Sequence, residues 1–144
     1  MAIRVVRLGS PRSEGEGLRV GTVRRPPRGV PKAEYASRDL YDVWLPELAP
    51  SEELLKRGQA ADDDRSWRAF ARAYRAEMKQ PDRRHLLDLL AALSLTTDFA
   101  VGCYCADERR CHRSVLRTLL AEHGARLAAG VAAPAPAPGR RRRP

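Results

Sequence analysis

The sequence has no long hydrophobic run, and this absence excludes a membrane-spanning helix. None of its apolar stretches approaches the roughly 20 residues that such a helix needs. The first residues, Met-Ala-Ile-Arg-Val-Val-Arg-Leu, alternate charged and apolar side chains and lack the apolar core and cleavage site of a secretory signal. We therefore expect a protein that stays in the cytoplasm and does not enter a membrane.

Cysteine is scarce, which argues against a framework of structural disulfides. The chain has three cysteines in 144 residues, an odd number. All three lie between Cys103 and Cys111, whereas the cysteines of a disulfide framework are spread along the chain. We expect reduced thiols, and the pattern leaves redox or metal chemistry open.

Lysine is scarce as well, so arginine supplies nearly all of the positive charge. Only three of the 27 basic residues are lysine, and the net charge is +9. Four of these nine charges belong to Arg140–Arg143, which leaves +5 for the rest of the chain. This modest excess is compatible with an anionic small molecule or a nucleic acid as partner, but it does not identify one.

Alternating strand and helix patterns predict one small α/β domain over residues 1–127. The apolar patterns typical of strands cover residues 3–8, 18–23, 39–45 and 99–105. Helical patterns begin after Ser51, in the acidic run 62–64, at Pro81 and near Cys111. We expect a mostly parallel sheet with helices on its faces. The first two strands could form either a hairpin or a parallel pair, and residues 128–144 are expected to be a disordered basic tail.

The segment from Arg24 to Lys32 places four positive charges among three prolines. It is too rigid for a helix and too basic for a core. Either it is a solvated connecting loop, or it is a preformed anion clamp, because arginine forks suit phosphate and proline lowers the entropic cost of holding them. A second basic set follows one face of the helix that contains Trp67, namely Arg68, Arg72 and Arg75.

The segment from Val101 to Val115 contains all three cysteines and one of the three histidines. Its pattern predicts a buried strand, a loop and a helix start, which is where α/β proteins often bind anions. Cys103 and Cys105 should point to the same side of the strand. The helix N-terminus and nearby arginines would lower the pKa of a thiol at this position.

One interpretation of this segment is a phosphatase or sulfurtransferase loop. Cys103 and Arg109 have the Cys-x5-Arg spacing of such loops, in which a thiolate attacks phosphorus or sulfur. Asp107 and Glu108 would repel an anion there, so the spacing alone is weak support.

Two further interpretations remain. Zinc could be bound by Cys103, Cys105, Cys111 and His112, but adjacent Cys111 and His112 are expected to diverge on a helix, so we assign no metal ligand. Alternatively, the cysteines are core residues, and a polar cluster at the helix start recognises a ligand or holds the loop. That cluster consists of Glu108, His112, Arg113 and Ser114.

The segment 102–116 resembles the signature of DUF488, a family of domains of unknown function, in which an apolar strand, a cysteine and an acidic residue precede a Cys-His-Arg triplet. Segments 25–32, 48–51 and 67–77 are similar to other family motifs, and the resemblance spans residues 1–127. One departure lies at 23–27, where the Asp and Trp of the usual Asp-Arg-Leu-Trp-Pro run are missing. The resemblance implies a small α/β domain in which the arginine loop and the Cys-His-Arg segment share one site, and it implies no particular reaction.

We therefore expect a polar pocket for an anionic ligand, with a nucleotide or nucleic acid as the favoured class. The candidate ligand-binding residues are Arg25, Arg28, Arg113 and Ser114. The candidate catalytic residues are His112 for proton transfer, Glu108 to orient His112 or Arg113, and Cys111. The alternatives are a noncatalytic nucleic-acid-associated protein and a Cys-x5-Arg phosphatase or sulfurtransferase. The sequence leaves open whether the protein is an enzyme, whether it needs a cofactor and how it oligomerises.

Overall fold

The strand predicted near the N-terminus lies next to the strand predicted at 99–105, and the two run parallel. The computed structural model describes residues 1–129. Its sheet has the order β1-β4-β2-β3, and every neighbouring pair is parallel. The strands are β1 (Ile3–Arg7), β2 (Leu18–Gly21), β3 (Val43–Trp44) and β4 (Phe99–Cys103). The predicted α/β fold with a parallel sheet is confirmed, and β1 and β2 each pair with β4 rather than with each other.

Four helices accompany this sheet, and their ends follow the sequence signals. They are α1 (Glu52–Ala60), α2 (Asp64–Glu77), α3 (Pro81–Leu93) and α4 (His112–Glu122). The hydroxyl of Ser51 accepts a hydrogen bond from the Leu54 N–H and so caps α1. Proline occupies the first position of α3, where its missing N–H costs no helical hydrogen bond. Gly124, with φ of 93°, follows the C-cap of α4 and adopts the left-handed conformation with which helices commonly end.

One face of the sheet forms the main core with the helices. Ile3 is in register with Phe99, and Val5 and Val20 both flank Val101, so these side chains project to the same side. They join one hydrophobic cluster with buried residues from all four helices, including Leu54, Phe70, Tyr74, Leu87, Leu116 and Leu120. The aromatic residues of α2, Trp67, Phe70 and Tyr74, recur at the i, i+3 and i+7 spacing of one helix face and are part of this core.

The other face of the sheet is organised around a buried ion pair. Arg19 of β2 is fully buried, and its Nε lies 2.6 Å from Oε2 of Glu16, which is 2% exposed. The same guanidinium donates to the carbonyl oxygens of Ser10 and Asp39 at 2.8 and 2.5 Å. Arg19 thus holds the loop after β1 and the turn before β3 against this face.

Several boundaries differ from the sequence patterns. The pattern at 39–45 yields a strand of only two residues, because Asp39 has a positive φ of 59° that ends a preceding turn. Beyond α4, Leu127 forms an isolated parallel bridge with Ile3. The tail was predicted over residues 128–144, and residues 130–144 lie outside the described structure. Over residues 1–129, no helix is both long enough and apolar enough to cross a bilayer.

Candidate functional site

A pocket of about 620 Å³ opens where β2 and β4 end. The loop after β2 contributes Val23 to Arg28, and the loop after β4 contributes Cys103 to Cys105. His112, the first residue of α4, also lines it. This position agrees with the general rule that α/β proteins bind ligands beyond the carboxyl ends of parallel strands.

The pocket is lined by four arginines and, among the described residues, by no carboxylate. Arg24 has a structural role, because its guanidinium donates hydrogen bonds to the carbonyl oxygens of Pro46, Ala49 and Pro50 and so holds the segment before α1. Arg25 is exposed and pairs with Glu52 of α1, and this contact raises the pKa of Arg25.

The other two arginines lie farther along the same wall. Arg38 pairs with Glu34, with Nη2 2.6 Å from Oε1. Arg28 is exposed and has no hydrogen-bond or ion-pair partner within residues 1–129. Arg28 is therefore the cation in this pocket whose charge is not already matched by a protein group.

Three thiols and an imidazole come together at the inner end of the pocket. The sulfur of Cys103 lies 3.8 Å from that of Cys105, and the sulfur of Cys111 lies 3.8 Å from Nδ1 of His112. The donor atoms of Cys103, Cys111 and His112 all lie within 4.8 Å of one another. Cys103 and Cys111 are buried, whereas Cys105 is exposed.

The expectation that Cys111 and His112 diverge on a helix is wrong. Cys111 is the N-cap of α4 and has extended backbone geometry, with φ of −130° and ψ of 149°. Its side chain therefore turns back over the helix start and accepts a hydrogen bond from the Arg113 N–H at 3.5 Å. The cap geometry brings the two donor atoms together.

The three thiols share their protons unequally. Hydrogen bonds from Cys103 and Cys111, with the charge of Arg113, lower the pKa of Cys105. The same contacts with neighbouring thiols, together with burial, raise the pKa of Cys111. A negative charge in this cluster therefore resides on Cys105, which is the thiol that faces the pocket.

His112 is held in one orientation and in its neutral form. Its Nε2 lies 2.8 Å from the carbonyl oxygen of Thr22, and because a carbonyl only accepts, Nε2 carries the hydrogen. The ring packs edge-on against Tyr74 at 5.5 Å. Burial lowers the pKa of His112 to about 4. At neutral pH Nδ1 therefore keeps its lone pair, which faces the sulfur of Cys111 at 3.8 Å and accepts a hydrogen bond from its thiol.

The other predicted site residues lie around the pocket and not in it. Arg113 is buried and donates from Nη2 to the carbonyl oxygen of Cys105 at 2.6 Å, so it holds the loop after β4. The hydroxyl of Ser114 donates to the carbonyl oxygen of Cys111. Glu108 accepts two hydrogen bonds from Arg117, at 2.8 and 3.1 Å, and contacts neither His112 nor Arg113.

The Cys-x5-Arg spacing does not form an anion loop. The side chain of Arg109 is 91% exposed and contacts Asp107. Arg109 is not among the residues that line the pocket with Cys103. The geometry therefore gives the phosphatase or sulfurtransferase interpretation no support.

Two pocket residues were not identified by the sequence. Tyr104 donates from its hydroxyl to the carbonyl oxygen of Arg25 at 3.3 Å and so links the two loops. Arg38 reaches the pocket from a turn segment. Arg38 belongs to no motif or periodic pattern, and Tyr104 lies within the cysteine segment without a residue pattern that marks it for a site.

Comparison with protein families gives one match. Residues 3–124 match the family model described as DUF488-N3a, "Active DUF488-N3 subclade". Comparisons with curated proteins and with solved structures found no match.

Proposed function

Since this chain belongs to the DUF488 family, we propose that its pocket beyond β2 and β4 is the functional site and that it binds a phosphate-bearing ligand. A nucleotide is the favoured class. Arg25 and Arg28 would contact the phosphate, because guanidinium groups pair with phosphate through two parallel hydrogen bonds.

The observation that carries this proposal is the composition of the pocket wall. Arg25, Arg28 and His112, which are far apart in the sequence, line one cavity that lacks a carboxylate among its described lining residues. An anion entering it meets basic lining residues, and the two neighbouring carboxylates, Glu52 and Glu34, are already paired with Arg25 and Arg38. Arg28 is free to bind, and Arg25 can exchange Glu52 for a ligand because both side chains are at least half exposed.

The same pocket contains groups suited to catalysis. His112, with a pKa of about 4, is neutral at physiological pH and would act as a base rather than an acid. Cys105 carries the most acidic thiol and faces the cavity. The description of the matching family model names an active subclade, which favours a catalytic pocket. Glu108 plays no part in this version of the site, because Arg117 occupies its carboxylate.

The test is calorimetric titration of the full-length protein with pyrophosphate and with ATP. Replacing Arg28 by alanine should weaken binding of both probes about tenfold, which corresponds to the loss of one charge-assisted contact of about 1.4 kcal/mol. Arg68→Ala is the matched control, since Arg68 is an exposed arginine on α2 outside the pocket. Equal affinities for the two variants would overturn the proposal.

The alternative of a noncatalytic nucleic-acid-associated protein predicts a different result. A single-stranded oligonucleotide would then bind with strong salt dependence, lose affinity in Arg68→Ala and keep it in Arg28→Ala. The arginine face of α2 has less unpaired positive charge than its sequence indicates, because Nη2 of Arg75 lies 3.0 Å from Oε2 of Glu122.

A further inference from the structure

We propose that Cys103, Cys105, Cys111 and His112 form a tetrahedral zinc site at the inner end of the pocket. Thiolate and imidazole are the ligands that zinc prefers, and a set of three cysteines and one histidine is a common structural zinc set. The ligands come from two segments, the end of β4 with its following residues and the first residues of α4.

The distances among Cys103, Cys111 and His112 fit such an ion, and Cys105, whose sulfur contacts that of Cys103, would be the fourth, exposed ligand. A tetrahedral zinc with Zn–S bonds of about 2.3 Å and a Zn–N bond of about 2.0 Å separates neighbouring sulfurs by about 3.8 Å and sulfur from nitrogen by about 3.6 Å. The sulfurs of Cys103 and Cys105 are 3.8 Å apart, and the sulfur of Cys111 is 3.8 Å from Nδ1 of His112. The longest separation among Cys103, Cys111 and His112 is 4.8 Å at most, within about 1.2 Å of the tetrahedral spacing.

The orientation of His112 is that of a metal ligand. Zinc-bound histidines usually donate their other ring N–H to a carbonyl or carboxylate oxygen, which fixes the tautomer. Here Nε2 donates to the carbonyl oxygen of Thr22 at 2.8 Å, so Nδ1 presents its lone pair to the thiols. A backbone carbonyl is the partner, and the ring is further held by Tyr74. A bound zinc would occupy the lone pair of Nδ1, so the proposed role of His112 as a base belongs to the protein without the metal.

The surroundings also compensate the charge of the complete site. Three thiolates and one Zn²⁺ have a net charge of −1. The N–H of Arg113 already points at the sulfur of Cys111, at 3.5 Å. The guanidinium of Arg113 is buried beside Cys105, and its Nε is a buried donor without a partner among the described residues. The Arg113 guanidinium and the positive end of the dipole of α4, an eleven-residue helix, would thus stabilise the negative charge of the site.

The test is cobalt titration of the full-length protein after chelation and reduction. Co²⁺ in a site of three thiolates and one imidazole gives a sulfur-to-cobalt charge-transfer band and the intense visible bands of tetrahedral geometry. We expect one equivalent to bind and zinc to displace it. Absence of these bands in a reduced protein with native circular dichroism would overturn the proposal.

Variants identify the ligands. Cys105→Ser changes an exposed residue and should leave the fold intact, while weakening cobalt affinity more than about 100-fold, beyond the loss typical of residues that only orient a ligand. His112→Ala should abolish the tetrahedral bands, whereas the matched control His85→Ala, an exposed histidine of α3, should keep them. Bands that survive Cys105→Ser unchanged would contradict the four-ligand site even if His112→Ala fails to fold.

Thiol chemistry gives a second readout that is independent of activity. Zinc should protect Cys105 from iodoacetamide, and removal of zinc should restore its alkylation. Equal alkylation with and without zinc would contradict the proposal. Because cobalt bands report the metal and pyrophosphate titration reports the arginines, failure of this site and failure of the proposed anion pocket are distinguishable.

Discussion

Arg19 illustrates how one side chain can hold two loops on a sheet. It is fully buried, forms an ion pair with Glu16 and donates to the backbone carbonyl groups of Ser10, Pro11 and Asp39. A buried charge of this kind is stable only while its partners stay in place, because an unpaired charge in the interior is costly. The contacts of Arg19 therefore make the loop after β1 and the turn before β3 depend on each other.

Replacing Arg19 by methionine should lower the free energy of unfolding by about 3–5 kcal/mol, because Glu16 would remain buried without its partner. Chemical denaturation of the two proteins measures this difference. Arg38→Met is the matched control, since it removes an exposed pair with Glu34 that should contribute at most about 1 kcal/mol. Similar losses in the two variants would show that the ion pair of Arg19 is not the source of the effect.

The same pair predicts a pH dependence. Burial alone would raise the pKa of Glu16, but hydrogen bonds from Arg19 and from the Ser13 N–H lower it below its ordinary value. Its stabilisation is therefore complete above the pKa of the unfolded chain, about 4.3, and is lost as the pH falls through the lower folded value. In acid denaturation followed by circular dichroism, Glu16→Gln should flatten the decline in stability below pH 4.3. An identical slope would contradict this assignment.

The sequence predicted some neighbours among the site residues and missed others. The arginine loop and the Cys-His-Arg triplet were expected to lie together, and Arg25, Arg28 and His112 do line one cavity. Their roles stay a prediction. The partner of Glu108 and the proximity of Cys111 to His112 depend on side-chain rotamers and on the cap geometry of α4, which spacing along a chain does not encode.

Among the secondary-structure elements, we expect β4 to be the strand least tolerant of substitution. It pairs with β1 on one side and β2 on the other, and all five of its residues are buried. Gly102 lies opposite Val6 of β1, and a Cβ added there would stand 2.8 Å from the Val6 carbonyl oxygen and 2.7 Å from Cδ2 of Leu8. The Leu8 side chain can move away from the added carbon, but the Val6 carbonyl oxygen is part of the paired strand β1 and cannot move as easily.

Gly102→Ala should therefore destabilise the protein by about 1–3 kcal/mol through overpacking. The double variant Gly102→Ala/Leu8→Ala separates the two contacts, because removal of Leu8 relieves one of them. Its loss in denaturant unfolding should be smaller than the sum of the single losses by about 0.5 kcal/mol or more. Strict additivity would show that Leu8 does not limit the space at this position.

Long elements with clear periodicity were predictable, and short ones were not. The aromatic spacing of α2 and the proline at the start of α3 placed both helices within a few residues. The apolar pattern at 39–45 predicts a longer strand than the two residues Val43–Trp44, because the backbone bends at Asp39, which has a positive φ and accepts a hydrogen bond from Arg19. Sheet order was also not predictable, since it depends on which strands meet after the helices have packed.

At the scale of the whole molecule, two sources of positive charge should act separately. Arg140–Arg143 carry four of the nine net charges, and the pocket arginines form another group. Replacing all four of these arginines by alanine should make the salt dependence of oligonucleotide binding less steep by about 3 units in the slope of log K against log salt. Fluorescence anisotropy at several salt concentrations measures the slope. Pyrophosphate affinity should not change, and a loss there would mean that these arginines reach the pocket.

The position of β4 in the sheet also governs when the protein can fold during its synthesis. Its neighbours β1 and β2 leave the ribosome first, yet β1 has no partner strand and β2 has only the two-residue strand β3 until residues 99–103 have been translated. Both strands must remain without their pairing to β4 while some 80 further residues, including three helices, are added after β2. Pairing between segments so distant in the chain makes the final step slow, and it makes the nascent chain dependent on protection of its exposed strand edges until β4 arrives.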